Sequence, residues 1–348
     1  MRVSQAEIRR TGRFLSILFV CILGNSYGQY NSDIVTKVAT AAGNWLKLET
    51  SARAIGMGGA FVAAGEGVSA IPYNPAGVSF IKKSEGYYSK TNYVAGITHN
   101  VMSYGMKLSG SDFFGVHLFY LDSGLMEETT EEYPTGTGAM FKVISMAFRT
   151  VYARRLTDRL KVGISLDYIR DQISTITMQT FAFDIGSNFE TGIYGFRLGM
   201  SVSNFGPDVQ YHGPGLNVPV DEDVSVDGQL AKITEKFPLP LTFRLGVKND
   251  IMGPNGTFIK DQAHSLTVSV DGINPSDYTI YGSVGCEYGW MDFAFLRAGT
   301  HLGHDTAGLS AGGGLKIKTM GLGISVDYAY VDYGILKLTH QVGLSLEF

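Results

Sequence analysis

Apolar and polar side chains alternate in short runs along most of this chain. Leu322, Ile324, Val326, Tyr328 and Tyr330 take turns with Gly323, Ser325, Asp327 and Ala329. Val162, Ile164, Leu166 and Tyr168 do the same against Gly163, Ser165 and Asp167, as do Leu266, Val268 and Val270 against Ser265, Thr267, Ser269 and Asp271. A period of two is that of a β-strand, whose successive side chains point to opposite faces. With turn residues as boundaries, the pattern predicts fourteen strands from residue 86 onward: 86–94, 97–108, 112–121, 140–151, 160–171, 179–187, 193–204, 239–250, 264–273, 278–289, 293–302, 308–318, 321–331 and 338–348. Most approach the ~9–11 residues that a tilted strand needs to cross a bilayer.

Two fold classes accommodate such strands. In a soluble sandwich the apolar faces form the core; in an outer-membrane barrel they face lipid and the polar faces line the lumen. Loop lengths separate the two. If both chain ends lie on the periplasmic side, odd-to-even connections are external, and they include the two longest, 122–139 and 205–238. Most even-to-odd turns are tight, at 109–111, 188–192, 290–292 and 319–320; the exception is 251–263, with Gly253, Pro254, Asn255 and Gly256. Short turns on one side and long loops on the other are the habit of outer-membrane barrels. The expected fold is therefore all-β, a transmembrane antiparallel barrel of about fourteen strands, occupying residues 86–348. Tyr87, Tyr88, Tyr104, Tyr120, Trp290 and Phe348 stand near strand ends, where interfacial aromatic girdles form.

Both termini fit an exported barrel. Arg2, Arg9, Arg10 and Arg13 precede an apolar run from Phe14 to Leu23 and the small residues Ser26 and Gly28, which reads as a secretory signal peptide over 1–28, cleaved before Gln29. The run is too short for a spanning helix, which needs ~20 residues. A lipoprotein reading of Cys21 is weakened by Val20, which stands where a small residue is needed. At the other end Val342, Leu344, Leu346 and Phe348 alternate with Gln341, Gly343, Ser345 and Glu347. A final amphipathic strand ending in Phe resembles the assembly signal of outer-membrane barrels, which implies outer-membrane lipids and the barrel assembly machinery as partners.

Composition narrows the function. Removing residues 1–28, with four Arg and one Glu, takes the formal charge from −4 to −7, leaving no basic stripe for nucleic acid. Only Cys286 remains beyond the signal, so the fold must stand without an internal disulfide, as a closed hydrogen-bonded barrel can. The 44 glycines in 348 residues exceed the usual ~7% share. Many sit inside strands, as in Ala311 to Gly314, where they suit lumen-facing positions and close backbone approach.

Residues 29–85 break the alternation. Ile34, Val35, Val38, Ala41, Ala42, Trp45 and Leu46 recur at helical spacing, predicting a short amphipathic helix. A Gly- and Ala-rich stretch follows and turns at Asn74 to Gly77. Small residues of this kind suit tight packing in a lumen, so the region is expected to be a plug or hatch; a periplasmic linker is the alternative.

The segment Ala52-Arg53-Ala54-Ile55-Gly56-Met57-Gly58-Gly59-Ala60-Phe61, followed by Asn74-Pro75-Ala76-Gly77, resembles the N-terminal signature of the PorV/PorQ family. That family is related in architecture to FadL-type fourteen-strand barrels. The resemblance implies an outer-membrane component of type IX secretion that binds exported cargo proteins and other secretion components. It also marks Gly56, Gly58, Gly59, Asn74, Pro75, Ala76 and Gly77 as the hatch motif. Where the family often carries an acidic-Ala pair, this chain reads Gly65-Glu66-Gly67-Val68, which leaves the subfamily open. The alternative function is FadL-like transport of hydrophobic small molecules through the hatch. For the docking reading, loop 205–238 offers Phe205, Pro207, Tyr211, Pro214 and Pro219 as a partner-binding surface.

Catalytic and metal patterns are weak. Gly308-Leu309-Ser310-Ala311-Gly312 matches G-x-S-x-G but lies in an alternating strand with no helix after it, so no catalytic residue is assigned. His340 is the one histidine near the last strand, and nothing ties it to a nucleophile. His301, His304 and Asp305 suggest a metal site, but strand alternation sets residues three apart on opposite faces. The acidic groups Glu127, Glu128, Glu131, Glu132 and Asp221, Glu222, Asp223 read as solvated loop charge rather than a calcium site. No cofactor and no metal are expected.

Overall fold

A computed structural model describes residues 37–219, 229–319 and 321–348; the predicted signal peptide lies outside them. The wall consists of β1 (Ser84–Asn92), β2 (Thr98–Lys107), β3 (Asp112–Asp122), β4 (Val143–Arg155), β5 (Leu160–Ile173), β6 (Ile176–Glu190) and β7 (Phe196–Phe205). It continues through β8 (Thr242–Gly253), β9 (His264–Pro275), β10 (Tyr281–Trp290), β11 (Ala294–Leu302), β12 (Leu309–Thr319), β13 (Leu322–Asp332) and β14 (Leu338–Glu347). Each pairs antiparallel with the next, and β14 pairs with β1 from Glu85↔Glu347 to Asn92↔His340. The sheet is thus a closed barrel of fourteen strands, and no edge is left unpaired to recruit another chain. All fourteen predicted strands are present, offset at their ends: the predicted 140–151 is Val143–Arg155 and 239–250 is Thr242–Gly253.

The faces are inverted relative to a water-soluble barrel. On β13, Val326 and Tyr328 are 48% and 45% exposed on the outside, whereas Asp327 and Ala329 are buried at 7% and 0% toward the lumen. Ile164 and Leu166 face out while Ser165 and Asp167 face in, and Val270 faces out between buried Ser269 and Asp271. An apolar outer band around a polar interior requires lipid as the solvent outside. The outer face still satisfies its polar tips: the Tyr152 hydroxyl donates to Asp112 at 2.6 Å and Tyr88 to Asn100 at 3.1 Å, while Tyr328 pairs with His340 Nδ1 at 2.7 Å. Tyr88, Tyr104, Trp290 and Phe348 are exposed, but Tyr87 departs from the girdle assignment. It alternates inward, and its hydroxyl accepts a hydrogen bond from Ala52 N–H at 3.1 Å.

The two ends differ as loop parity implied. Loops 123–142 and 206–241 lie at one end, together with five shorter connections; the tight turns and both ends of the wall lie at the other. Loop 123–142 carries a small ribbon of Met126–Glu127 with Met140–Phe141, and loop 206–241 one of Asn217–Pro219 with Gln229–Ala231. The long turn at the opposite end is steadied by Ile259–Lys260, which runs parallel beside Met252–Gly253.

Candidate functional site

Residues 41–82 run through the inside of the wall from the long-loop end to the short-turn end. The predicted helix over 34–46 does not extend through the described residues: from Lys37 the chain bends, and only Asn44–Lys47 forms a single 3-10 turn. Gly43, at φ 67°, breaks the run. The apolar residues instead serve contacts: Trp45 stacks on Phe119 at 5.5 Å, and Leu46 packs near Leu239. Ala42 N–H donates to Pro238 O at 3.0 Å, so loop 206–241 is tied to the inner segment.

The true helix of the segment is α1 (Ala52–Gly56), capped by Ser51, whose hydroxyl accepts from Ala54 N–H. Two buried tyrosines hold its start. Tyr73 accepts from Thr50 and Ser51 N–H at 3.0 and 3.3 Å, and Tyr87 from Ala52. After α1 the chain passes through Gly58 at φ 61° and Gly59 at φ 75°, a region side-chain-bearing residues rarely adopt. Here the backbone lies on Gly299 of β11, and neighbouring wall positions Gly163, Gly186, Gly199 and Gly285 likewise leave no room for a Cβ beneath the segment. That close fit accounts for much of the chain's glycine. At β12 only Gly312 and Gly314 serve the interior; Gly313 alternates outward.

Asn74 joins segment to wall. Its Nδ2 donates to Val62 O at 2.9 Å and to Ser187 O at 3.0 Å, while Oδ1 accepts from Ala76 N–H at 3.1 Å and caps the 3-10 turn Pro75–Phe80. Pro75 fits the first turn, where its missing N–H costs nothing. A Cβ at Gly77 would come within 2.5 Å of the Ala70 Cβ. The motif residues Gly56 to Gly59 and Asn74 to Gly77 are all buried in this seat.

Charged pairs, which the strand pattern did not single out, fasten the segment. Arg53 forks onto Glu287 at 2.7 and 2.8 Å, and Arg297 joins Glu287 to Asp327 at 2.6 Å each. Glu66, the residue at the family departure, meets Arg197 at 2.5 Å and Lys248 at 3.3 Å. Burial alone would raise the Glu66 carboxyl, but Lys248 and Arg197 hold it far below the usual carboxylate range. Burial likewise opposes the charge on Arg53, yet Glu287 keeps the guanidinium protonated. Arg53, Glu66, Glu287, Arg297 and Asp327 line a polar cavity of about 520 Å³ at the short-turn end, with Glu85, Lys316 and Glu347 on its wall.

The remaining candidates are dispersed. Phe205, Pro207 and Pro214 are exposed at the long-loop end. Tyr211 is half-buried and donates to Asp171 on β5 at 2.8 Å, so it braces the loop. The Pro219 side chain and Asp221, Glu222 and Asp223 lie outside the described residues. Val342 and Leu344 face outward on β14 beside β1, Leu346 is half-buried in register with Gly86, and Phe348 is exposed just past the end of the strand. Ser310 sits within β12 opposite Gly299 and Val331, with no nucleophile elbow. His301 and His304 corrected the alternation argument: their rings are 5.6 Å apart, because β11 ends at Leu302 and Gly303, at φ 78°, turns the chain back. His304 Nδ1 accepts from Thr306 and Ala307 N–H, which puts the proton of the neutral ring on Nε2 and removes it as a metal ligand there.

The same architecture occurs in CymD, a monoaromatic hydrocarbon channel, with a TM-score of 0.57 at 14% identity over 86% of this chain and 97% of that one. The toluene transporters TodX of Pseudomonas putida and TbuX of Ralstonia pickettii each give 0.53, at 12% and 14% identity, over 86% of this chain and 97% and 98% of theirs. At such identity the likeness speaks for fold alone. No curated protein matches the sequence. Fold and faces thus define an outer-membrane barrel of FadL-like architecture. The profile of the type IX secretion system protein PorV matches residues 31–237, more than half of the chain, and the chain belongs to that family. It is an outer-membrane component of type IX protein secretion.

Proposed function

We propose that this barrel receives exported proteins at its long-loop end, with residues 41–82 acting as a fixed plug. The observation that carries the reading is the seat of that segment: ion pairs at Glu287, Arg197 and Lys248, three Asn74 hydrogen bonds and backbone contact at Gly299 leave little that a passing solute could displace. Surface for recognition then lies at the end of β7 and in loop 206–241, where Phe205, Pro207 and Pro214 are exposed, and in loop 123–142, where the acidic Glu127, Glu128, Glu131 and Glu132 are exposed. In this reading the long-loop end faces outside, residues 1–28 are cleaved on export, and Val342, Leu344, Leu346 and Phe348 address the assembly machinery and then face lipid. Cargo and other secretion components are its protein partners.

A second reading, transport of hydrophobic small molecules, is favoured by the fold neighbours. The charged lining of the 520 Å³ cavity, with Arg53, Glu66, Glu287 and Arg297, speaks against it, since a hydrocarbon cannot repay the desolvation of those groups. Native mass spectrometry of the barrel, extracted gently from its own membrane, tests the choice. Co-purified secreted proteins sharing a C-terminal domain support docking. A stoichiometric hydrophobic small molecule without protein partner overturns it.

A further inference from the structure

The lipid-facing wall is not uniform. Across β9 to β13, toward the short-turn end, it carries an apolar groove of about 820 Å³, within the ~300–1,000 Å³ of ligand pockets. Strand register shows how the groove arises. In the row nearest the short turns His264, Trp290, Ala294, Leu315 and Val326 stand side by side; in the next, Tyr288, Leu296, Gly313 and Tyr328 do. Ala294 thus lies between Trp290 and Leu315, and Gly313 between Leu296 and Tyr328, so two small residues on neighbouring strands form a floor between tall side chains. The walls stand clear of it: Leu296 is 67% exposed and Leu315 53%. Nothing in the backbone requires glycine at 313, since its φ is not positive and a Cβ there would meet no atom nearer than Phe295 O at 3.5 Å. The inward glycines make room for the inner segment; this one makes room outside.

Polar groups meet the groove at one end. The His264 ring and the Tyr288 hydroxyl share a hydrogen bond of 2.6 Å. If the hydroxyl donates to Nδ1, the neutral ring keeps its proton on Nε2; if Nδ1 donates, the hydroxyl proton is free. Either arrangement leaves one donor unspent. The Trp290 indole N–H adds a second, because it has no hydrogen-bond partner among the described residues. No carboxylate lines the groove. A groove in the lipid-facing wall is filled from the bilayer. Its occupant must bring an apolar chain for the floor and walls, joined to hydrogen-bond acceptors at the mouth. An alkyl chain joined to ester and phosphate oxygens has that make-up, whereas a free hydrocarbon offers nothing to the donors.

We propose that the groove is a binding site for one glycerophospholipid, with an acyl chain laid over Ala294 and Gly313 and its ester and phosphate oxygens at Trp290, His264 and Tyr288. A lipid of the surrounding shell touches the wall on one side only. A chain in the groove is held on three, and each further methylene in contact adds to its hold. With the long-loop end outside, as in the reading above, the mouth lies in the periplasmic leaflet, where phospholipid is the building material. The choice of phospholipid over an outer-leaflet glycolipid rests on that orientation; the groove itself does not.

Trp290 at the mouth is a built-in reporter, and the other tryptophan, Trp45, lies inside the barrel against Phe119. The purified barrel in detergent is titrated with phosphatidylethanolamine brominated on its acyl chains, since bromine quenches an indole on contact. A site predicts quenching that saturates near one lipid per barrel; shell lipid alone predicts quenching that climbs with lipid content and does not saturate. Gly313→Leu fills the floor and should weaken the saturable phase on the order of tenfold, the loss of about two methylene contacts. His264→Ala should weaken it on the order of threefold, the loss of one hydrogen bond. Gly86→Leu, at an outward glycine of β1 near the same end, should change nothing. Unaltered heat-resistant gel mobility verifies that each variant remains folded. Unlabelled phosphatidylethanolamine should reverse the quenching and lipopolysaccharide should not; reversal by lipopolysaccharide alone overturns the phospholipid assignment and the orientation it rests on. Absence of a saturable phase in the folded barrel, or a phase indifferent to Gly313→Leu, overturns the site.

Discussion

Gly299 of β11 and Gly58 of the inner segment meet backbone to backbone, so closely that a Cβ on Gly299 would overlap the Gly58 nitrogen. Neither side of that contact is a side chain that can rotate away. Gly299→Val is therefore expected to cost more than the ~1–3 kcal/mol of an ordinary overpacked core. Gly313→Val is the control, because its Cβ points outward and meets nothing nearer than Phe295 O at 3.5 Å. Urea unfolding of the two barrels in detergent should show a large loss for the first and almost none for the second.

Arg53 and Glu287 form a partly buried pair, with side chains 27% and 9% exposed. Arg53→Met leaves Glu287 with Arg297 as its remaining partner, so the loss should fall toward the low side of the ~3–5 kcal/mol for a broken buried pair. Arg53→Met with Glu287→Gln should recover part of it. Protease sensitivity of residues 41–82 is the direct measure; equal sensitivity of single and double variants would refute the coupling.

Asn74 carries the junction between segment and wall through three hydrogen bonds. Asn74→Ala should cost about 1–3 kcal/mol for each buried group left unpaired. Asn74→Asp keeps the acceptor for Ala76 N–H but loses both donors and sets a carboxylate against the carbonyls of Val62 and Ser187. Both variants should melt lower than the parent, with the aspartate no better than the alanine.

Glu49 supplies a pH dependence. Burial raises its carboxyl above the ordinary 4.5, with Tyr73 and Arg244 opposing in part. The folded state therefore holds this proton to higher pH than the unfolded chain. Its contribution is fully present below about 4.5 and is lost as pH rises through the folded value. Glu49→Gln should thus stabilise the barrel at neutral pH and make no difference at pH below 4.5. Melting curves of parent and variant across that range would read the gap; a gap that widens on acidification would contradict the assignment.

Strand content was legible because β5 and β13 alternate without interruption, and loop parity separated lipid from water as the outer solvent. The interior was less legible. Arg149, Asp167 and Asp184 form one buried network on β4, β5 and β6, yet in sequence each is an isolated charge within an alternating strand. Their inward parity was the available signal. Tyr87 reads as a girdle residue until parity places it inside, where α1 needs an acceptor. Helical spacing from Val38 to Leu46 misled because Gly43 and the wall contacts of Trp45 and Leu46 override a marginal local preference. His301 and His304 meet only because the strand ends between them.

The most direct test of docking at the long-loop end is photocrosslinking in living cells, with a photoreactive residue at Pro207, Pro214 or Tyr133 and, for comparison, at Leu156 or Met291 in the turns of the opposite end. The account predicts adducts with secreted proteins bearing the C-terminal sorting domain from the first three positions and none from the last two. Adducts confined to the short-turn end, or absent everywhere during active secretion, would contradict it.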